Sequence, residues 1–218
     1  MDLATVEELL STTRSVRRRL DLTRPVEPEI LEWAIALALQ APSGSNRQHW
    51  RFLVVTDGAK RAAIGKIYRE VFEQYGRALA EQANPYPPTD PRHGQHPRVM
   101  TSAAYLAANF AAVPVHVIAA IEGRLEQAAA VSQATLFGSI LPAAWSLMLA
   151  LRARGIGSTW TTIHIARERE VAALLGIPDN VTQAVLLPVA YFHGAGFQPA
   201  RRVPPRSVTY WDEWGKTR

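Results

Sequence analysis

Apolar positions along the chain follow two rhythms, and these locate most of its elements. Ile30, Leu31, Ala34, Ile35, Ala38 and Leu39 recur at helical spacing behind Pro28, which suits a first helical turn. The helix they predict ends in Ala41-Pro42-Ser43-Gly44-Ser45-Asn46, a run that favours turns. Continuous apolar runs at 50–56, 113–121 and 182–192 read as strands covered on both faces, with a weaker strand expected at 158–163. Further helices are expected at 6–10, 58–81, 99–110 and 167–175.

Helices outnumber strands and the strands are few and apolar, which predicts a layered α+β or α/β domain. No fixed-period repeat is present. Residues 84–91 are proline-dense and exclude regular structure, so 82–98 is read as a lid-like loop within one domain spanning 1–218. Residues 128–151 carry no charge at all, long enough to raise the question of a membrane span. Ser132, Gln133, Thr135, Gly138, Ser139, Pro142 and Ser146 interrupt the run, and a helix apolar all round fits a core or a subunit interface better. Such a helix needs more cover than a monomer of this size readily provides, so a homodimer is expected. The tail, 198–218, holds Trp211 and Trp214 and suits wrapping a partner subunit.

Charge and composition narrow the chemistry. The 218 residues carry 24 basic and 19 acidic side chains, and only Lys60, Lys66 and Lys216 are lysines, leaving 21 arginines. Arginine is the planar, bidentate partner of phosphates, although a codon bias would yield the same excess. Cysteine is absent, which removes disulfides, thiol nucleophiles and Cys-ligated clusters. The first ten residues show no signal-peptide pattern, and a cytoplasmic location is expected.

Arg14, Arg17, Arg18 and Arg19 cluster near one end and Arg201, Arg202 and Arg206 near the other. For any one of them a solvated basic face is the simpler reading. Ser15 between Arg14 and Arg17 puts two guanidinium groups and a hydroxyl within reach of one phosphate. In PSGSNRQHW, small residues let backbone approach a flat ligand, and Asn46 and Gln48 suit a heteroaromatic edge. A plain capped loop explains the small residues equally well. The six histidines are scattered without metal-ligand spacing. No nucleophile elbow, P-loop or dinucleotide fingerprint is present, and Gly155-Ile156-Gly157 reads as a helix stop. If the protein is an enzyme, an organic cofactor does the chemistry.

Four stretches carry a family resemblance in order: TTRSVRRRL, APSGSNRQHWRFLVV, LRARGIGSTWTTIH with LLGIPDNVTQAVLLPVAYF, and RRVPPRSVTYWDEWG. Together they resemble the FMN-dependent nitroreductases, NAD(P)H-oxidising flavoproteins. The resemblance implies a three-layer α/β/α domain whose small, mostly antiparallel sheet is flanked by helices. It further implies a C-terminal extension crossing to the partner of a homodimer, with FMN sites at the interface. By that resemblance Arg14, Ser15 and Arg17 hold the FMN phosphate and ribityl chain, and Arg201 and Arg202 complete the grip. Pro42, Ser43, Gly44 and Asn46 line the isoalloxazine, and Thr161 and Thr162 approach it near N5. The implied reaction is ping-pong hydride transfer from NAD(P)H to flavin and on to a nitroaromatic or quinone. It needs no catalytic side chain and no metal.

This sequence departs from the family pattern that the resemblance implies at Thr13, where many relatives carry another arginine, and at Trp145 and Ser146, where many carry glutamine and asparagine. Another flavin reaction on the same fold, whether flavin destruction, reductive dehalogenation or biosynthetic dehydrogenation, is the alternative. A basic nucleic-acid- or anion-binding module is a distant one, because no recognition motif accompanies the arginines. Neither nucleic acid nor membrane is expected as a partner.

Overall fold

The computed structural model describes residues 2–80, 84–90 and 92–218. The end of the helix expected over 58–81, and positions 82, 83 and 91 of the 82–98 loop, lie outside the described residues. Helix α1 (Leu3–Thr12) begins earlier than its apolar pattern, because Asp2 caps it by accepting from the Ala4 and Thr5 N–H groups at 3.3 and 3.2 Å. Helix α2 (Pro28–Ala38) carries Pro28 in its first turn, as expected. Strand β1 (Trp50–Val55) and helix α3 (Gly58–Ala80) follow. Helix α4 (His96–Asn109) starts before the expected residue 99, with Pro97 in its first turn.

Strand β2 (Val115–Glu122) leads through a loop to the long helix α5 (Ala130–Ala153), then to strand β3 (Ile156–Ser158). Helix α6 (Glu168–Leu175) and strand β4 (Val181–Tyr191) complete the core. The strands form one sheet in the order β1-β2-β4-β3, and every neighbouring pair is antiparallel. Its two faces bury separate apolar clusters. Val117, Ala119, Ile121, Val185 and Leu187 pack with residues of α2 and α5 on one side. Ile118, Ala120 and Leu186 pack with Ile64 and Tyr68 of α3, Leu106 of α4 and Val171 of α6 on the other. This is the three-layer arrangement expected, and double cover explains why β2 and β4 read as continuous apolar runs.

The third strand differs from expectation: it occupies 156–158, not 158–163. Beyond it the regular ladder ends: the Thr159 N–H donates to the Pro188 carbonyl at 3.3 Å, and Thr161 exchanges backbone hydrogen bonds with Leu186 at 3.1 and 2.9 Å. Gly157 explains where β3 sits. A Cβ there would stand 3.0 Å from Val16 Cβ and 3.2 Å from Leu20 Cδ2, so glycine lets the basic segment lie close against the strand without a tight contact. Gly155, with φ of 73°, is the helix stop that the sequence predicted, whereas Gly157 is a packing position.

Candidate active site

Arg14 to Arg19 are stitched to the sheet edge by backbone. Ser15 bridges Ser158, the Val16 N–H donates to the Ser158 carbonyl at 2.9 Å, and the Thr159 hydroxyl donates to the Val16 carbonyl. Val16 and Leu20 are thereby buried, leaving Ser15 and Arg17 half-buried and Arg14 exposed. The Arg14 guanidinium donates to the Gln198 carbonyl at 3.3 Å, which draws the start of the tail to this segment. Arg14, Ser15, Arg17 and Arg202 line a cavity of about 620 Å3, with Trp145, Met148 and Trp160 among its other walls. Arg202 therefore joins the N-terminal cluster across the length of the chain. Arg201 is exposed and is not among the cavity's lining residues.

Burial and the adjacent Arg14 charge both hold Arg17 below the ordinary guanidinium value, with the Tyr68 phenol opposing them. Tyr68 is itself raised by burial. Among the described residues, no carboxylate lies within ion-pair distance of Arg14, Arg17 or Arg202. Uncompensated cations around a cavity repel one another, and an anion relieves that repulsion.

The loop after α2 builds a second cavity, of about 370 Å3, between Ser43, Gly44 and Gln48 and the first half of α5. Gly44 touches that helix directly: its N–H donates to Ser139 Oγ at 2.9 Å, and a Cβ on it would fall 2.3 Å from Thr135 Cγ2. The glycine is thus required by helix packing, and its N–H is already engaged. Ser45, Asn46 and Gln48 all adopt left-handed backbone, with φ of 52°, 53° and 54°. Such conformations cost about 1–3 kcal/mol each in non-glycine residues and concentrate at functional sites. The two amides flagged in the sequence meet each other, Gln48 Nε2 donating to Asn46 Oδ1 at 3.0 Å. Pro42 is exposed and is not among that cavity's lining residues. Thr161 is buried beside Tyr68, and Thr162 is exposed at the start of a 3-10 turn.

The two cavities share no lining residue. One abuts Thr135 and Ser139 and the other Trp145 and Met148, so they lie along successive stretches of α5. Sequence reasoning missed Met148, Trp160 and the strand-edge role of Gly157; the only signal for the last was a glycine two positions past a helix stop.

The layered fold and its basic cavity define a class, and three comparisons identify it. The profile of the Nitroreductase family matches residues 10–191, and the chain belongs to that family. A protein of Thermus thermophilus named NADH dehydrogenase is 30% identical over 212 residues, covering 91% of each chain. An iodotyrosine deiodinase of Thermotoga neapolitana is 27% identical over 186 residues, covering 84% of this chain and 86% of its own. Among solved structures, a mutant of the FMN and NADPH-dependent nitroreductase NfnB from sphigopyxis sp. superposes with a TM-score of 0.69 at 23% identity, covering 95% of this chain and 99% of that one. Family and relatives together make the chain an oxidoreductase.

Proposed function

We propose that the protein is an FMN-dependent oxidoreductase that passes hydride equivalents from NAD(P)H to a small acceptor such as a nitroaromatic or quinone. The observation that carries this reading is the set of guanidinium groups without a carboxylate partner among the described residues, Arg14, Arg17 and Arg202, gathered with Ser15 around a cavity that also has indole and thioether walls. Two or three arginines and a hydroxyl fit a phosphate dianion, and Trp145, Trp160 and Met148 fit the apolar body of a cofactor. Bound FMN supplies the hydride-accepting and hydride-donating ring that no side chain here provides.

Arg14 and Arg17 neutralise the phosphate, and Ser15 offers the hydroxyl between them. Thr161, held by its two backbone bonds to Leu186, would fix the turn that the family resemblance puts near the flavin, although neither it nor Thr162 lines this cavity. No residue here is required to move a proton, since solvent can protonate the product. Ser43 and Gly44 line the second cavity while the exposed Asn46, like Pro42, does not, so in one chain this loop shares no cavity with the arginines. A two-fold partner would lay the loop of one subunit over the arginines of the other. Two features of α5 support that arrangement: only 44% of its most apolar stretch is buried within the chain, and Val131 is 73% exposed. The exposed tail, with Trp214 at 91%, is also left without cover.

Purified protein is expected to be yellow, with about one FMN per subunit. Colourless protein that takes up no FMN would overturn the reading. Anaerobic reduction with NADH and NADPH, followed by a panel of nitroaromatic and quinone acceptors, then defines the reaction. A second reading, reductive dehalogenation, is favoured by the deiodinase relative. It predicts anaerobic release of iodide from 3-iodotyrosine by the reduced protein.

A further inference from the structure

Arg14, Ser15 and Arg17 also border a second basic cavity, of about 310 Å3, lined too by Arg18 on the same segment and by Arg98 and Ser102 of α4. Arg19 lines it too, but its donors are occupied. It donates to the His193 carbonyl at 2.7 Å, to Gly196 at 3.2 Å and to Ala195, while its face lies 4.2 Å from the Phe197 ring centre. Arg19 ties down the loop before the tail and is not free to bind.

Arg18 and Arg98 differ from it. Among the described residues neither has a carboxylate within ion-pair distance, and neither donates to a protein oxygen. Arg98, Ser102 and Tyr105 are spaced four and three residues apart on α4, so they share one face of that helix. The Arg18 guanidinium stands 5.9 Å over the Tyr105 ring, which sets it beside the same face. Two separate elements thus direct unpaired guanidinium groups into one cavity. FMN has a single phosphate, already matched by Arg14, Arg17 and Arg202, and it leaves the second pair without an anion.

We propose that Arg18 and Arg98 bind the 2′-phosphate of NADPH and make the enzyme selective for NADPH over NADH. The proposal rests on the FMN reading of the neighbouring cavity. The two dinucleotides differ only by that phosphomonoester, and paired guanidinium groups recognise a phosphate through bidentate, charge-assisted hydrogen bonds.

The test compares kcat/KM for NADPH and NADH with one quinone acceptor. The wild-type protein favours NADPH at least tenfold. Arg18→Gln and Arg98→Gln each collapse that ratio tenfold or more, mainly through KM for NADPH, and Arg98→Lys restores part of it. Calorimetry on the purified protein adds a reading independent of turnover: adenosine 2′,5′-bisphosphate binds, Arg98→Gln weakens it at least tenfold, and adenosine 5′-monophosphate binds far more weakly. Equal use of the two dinucleotides by the wild type overturns the proposal, as does a loss in both variants that is equal for NADPH and NADH. If a phosphorylated acceptor, and not NADPH, depends on Arg98, the cavity serves the acceptor and the proposal fails. Failure of the FMN reading is seen separately, as protein without flavin absorbance. Calorimetry on that same protein still decides, since lack of bisphosphate binding overturns the anion site itself.

Discussion

The contact between Gly44 and α5 gives the sharpest quantitative test of how the loop is held. Gly44→Ala places a methyl 2.3 Å from Thr135 Cγ2, well inside contact distance. Thr135 cannot simply turn away, because its hydroxyl donates to the Val131 carbonyl at 2.8 Å and fixes the rotamer. Relief therefore costs either that bond or the one from the Gly44 N–H to Ser139 Oγ at 2.9 Å, each worth about 1 kcal/mol net. Overpacking strain of about 1–3 kcal/mol accompanies it. Against this, an alanine loses less chain entropy on folding than glycine, a gain of about 0.4–1 kcal/mol. The balance is a net destabilisation of about 1–3.5 kcal/mol, or a fall in Tm of about 2–14 °C for a chain of this size. Thr135→Ser removes the clashing Cγ2 and keeps the hydroxyl, so the double variant should melt within about 2 °C of Thr135→Ser alone. Thermal melts monitored by circular dichroism read all four proteins. If Gly44→Ala melts at or above the wild type, or if Thr135→Ser fails to restore it, the packing argument is wrong.

Three further outcomes follow from the same geometry. Gly157→Val drives side-chain atoms into Val16 and Leu20, so it should cost about 1–3 kcal/mol in urea unfolding and also weaken FMN binding as the basic segment lifts. Arg17→Ala and Arg202→Ala should each weaken FMN by about 1.5–3 kcal/mol, roughly ten- to hundredfold in Kd by flavin fluorescence, and Arg201→Ala should weaken it less than Arg202→Ala. Burial holds both His116 and His164 at about 4, against an ordinary 6.5; the Phe110 carbonyl opposes this at His116, where Arg61 adds to it, and Glu168 opposes it at His164. Between pH 6.5 and 4.5 the unfolded chain then binds two protons that the native one does not, so this contribution is complete above 6.5. Inside that window stability falls on acidification by about 2.7 kcal/mol per pH unit, and the slope disappears below about pH 4. His164→Leu should roughly halve that slope in a urea series, and an unchanged slope would contradict the assignment.

Trp145 gives the departure from the family pattern a structural consequence. It is 38% exposed and lines the same cavity as Arg14, Arg17 and Arg202. A broad indole in place of the amide that the family resemblance implies gives that wall an apolar surface. The neighbouring Ser146 is half-buried, and no cavity contact of it explains its departure.

Much of the fold was legible along the chain because its period is local. The runs at 50–56, 113–121 and 182–192 announce doubly covered strands, and Pro28 and Gly155 mark helix ends by fixing or freeing one backbone angle. The basic cluster around Ser15 and the loop around Ser43 were legible as chemistry, since residue type alone says that guanidinium groups bind anions. What residue type cannot say is which groups meet. Only the tertiary structure puts Arg202 in one cavity with Arg14 and leaves Arg201 outside it, because that depends on how the start of the tail is held against the N-terminal segment. The same holds for Gly44, whose small size answers to Thr135, some ninety residues away, and for Gly157, which answers to Val16. Short-range pattern reports a residue's own backbone preference; its neighbours across the chain are fixed only when separate elements pack.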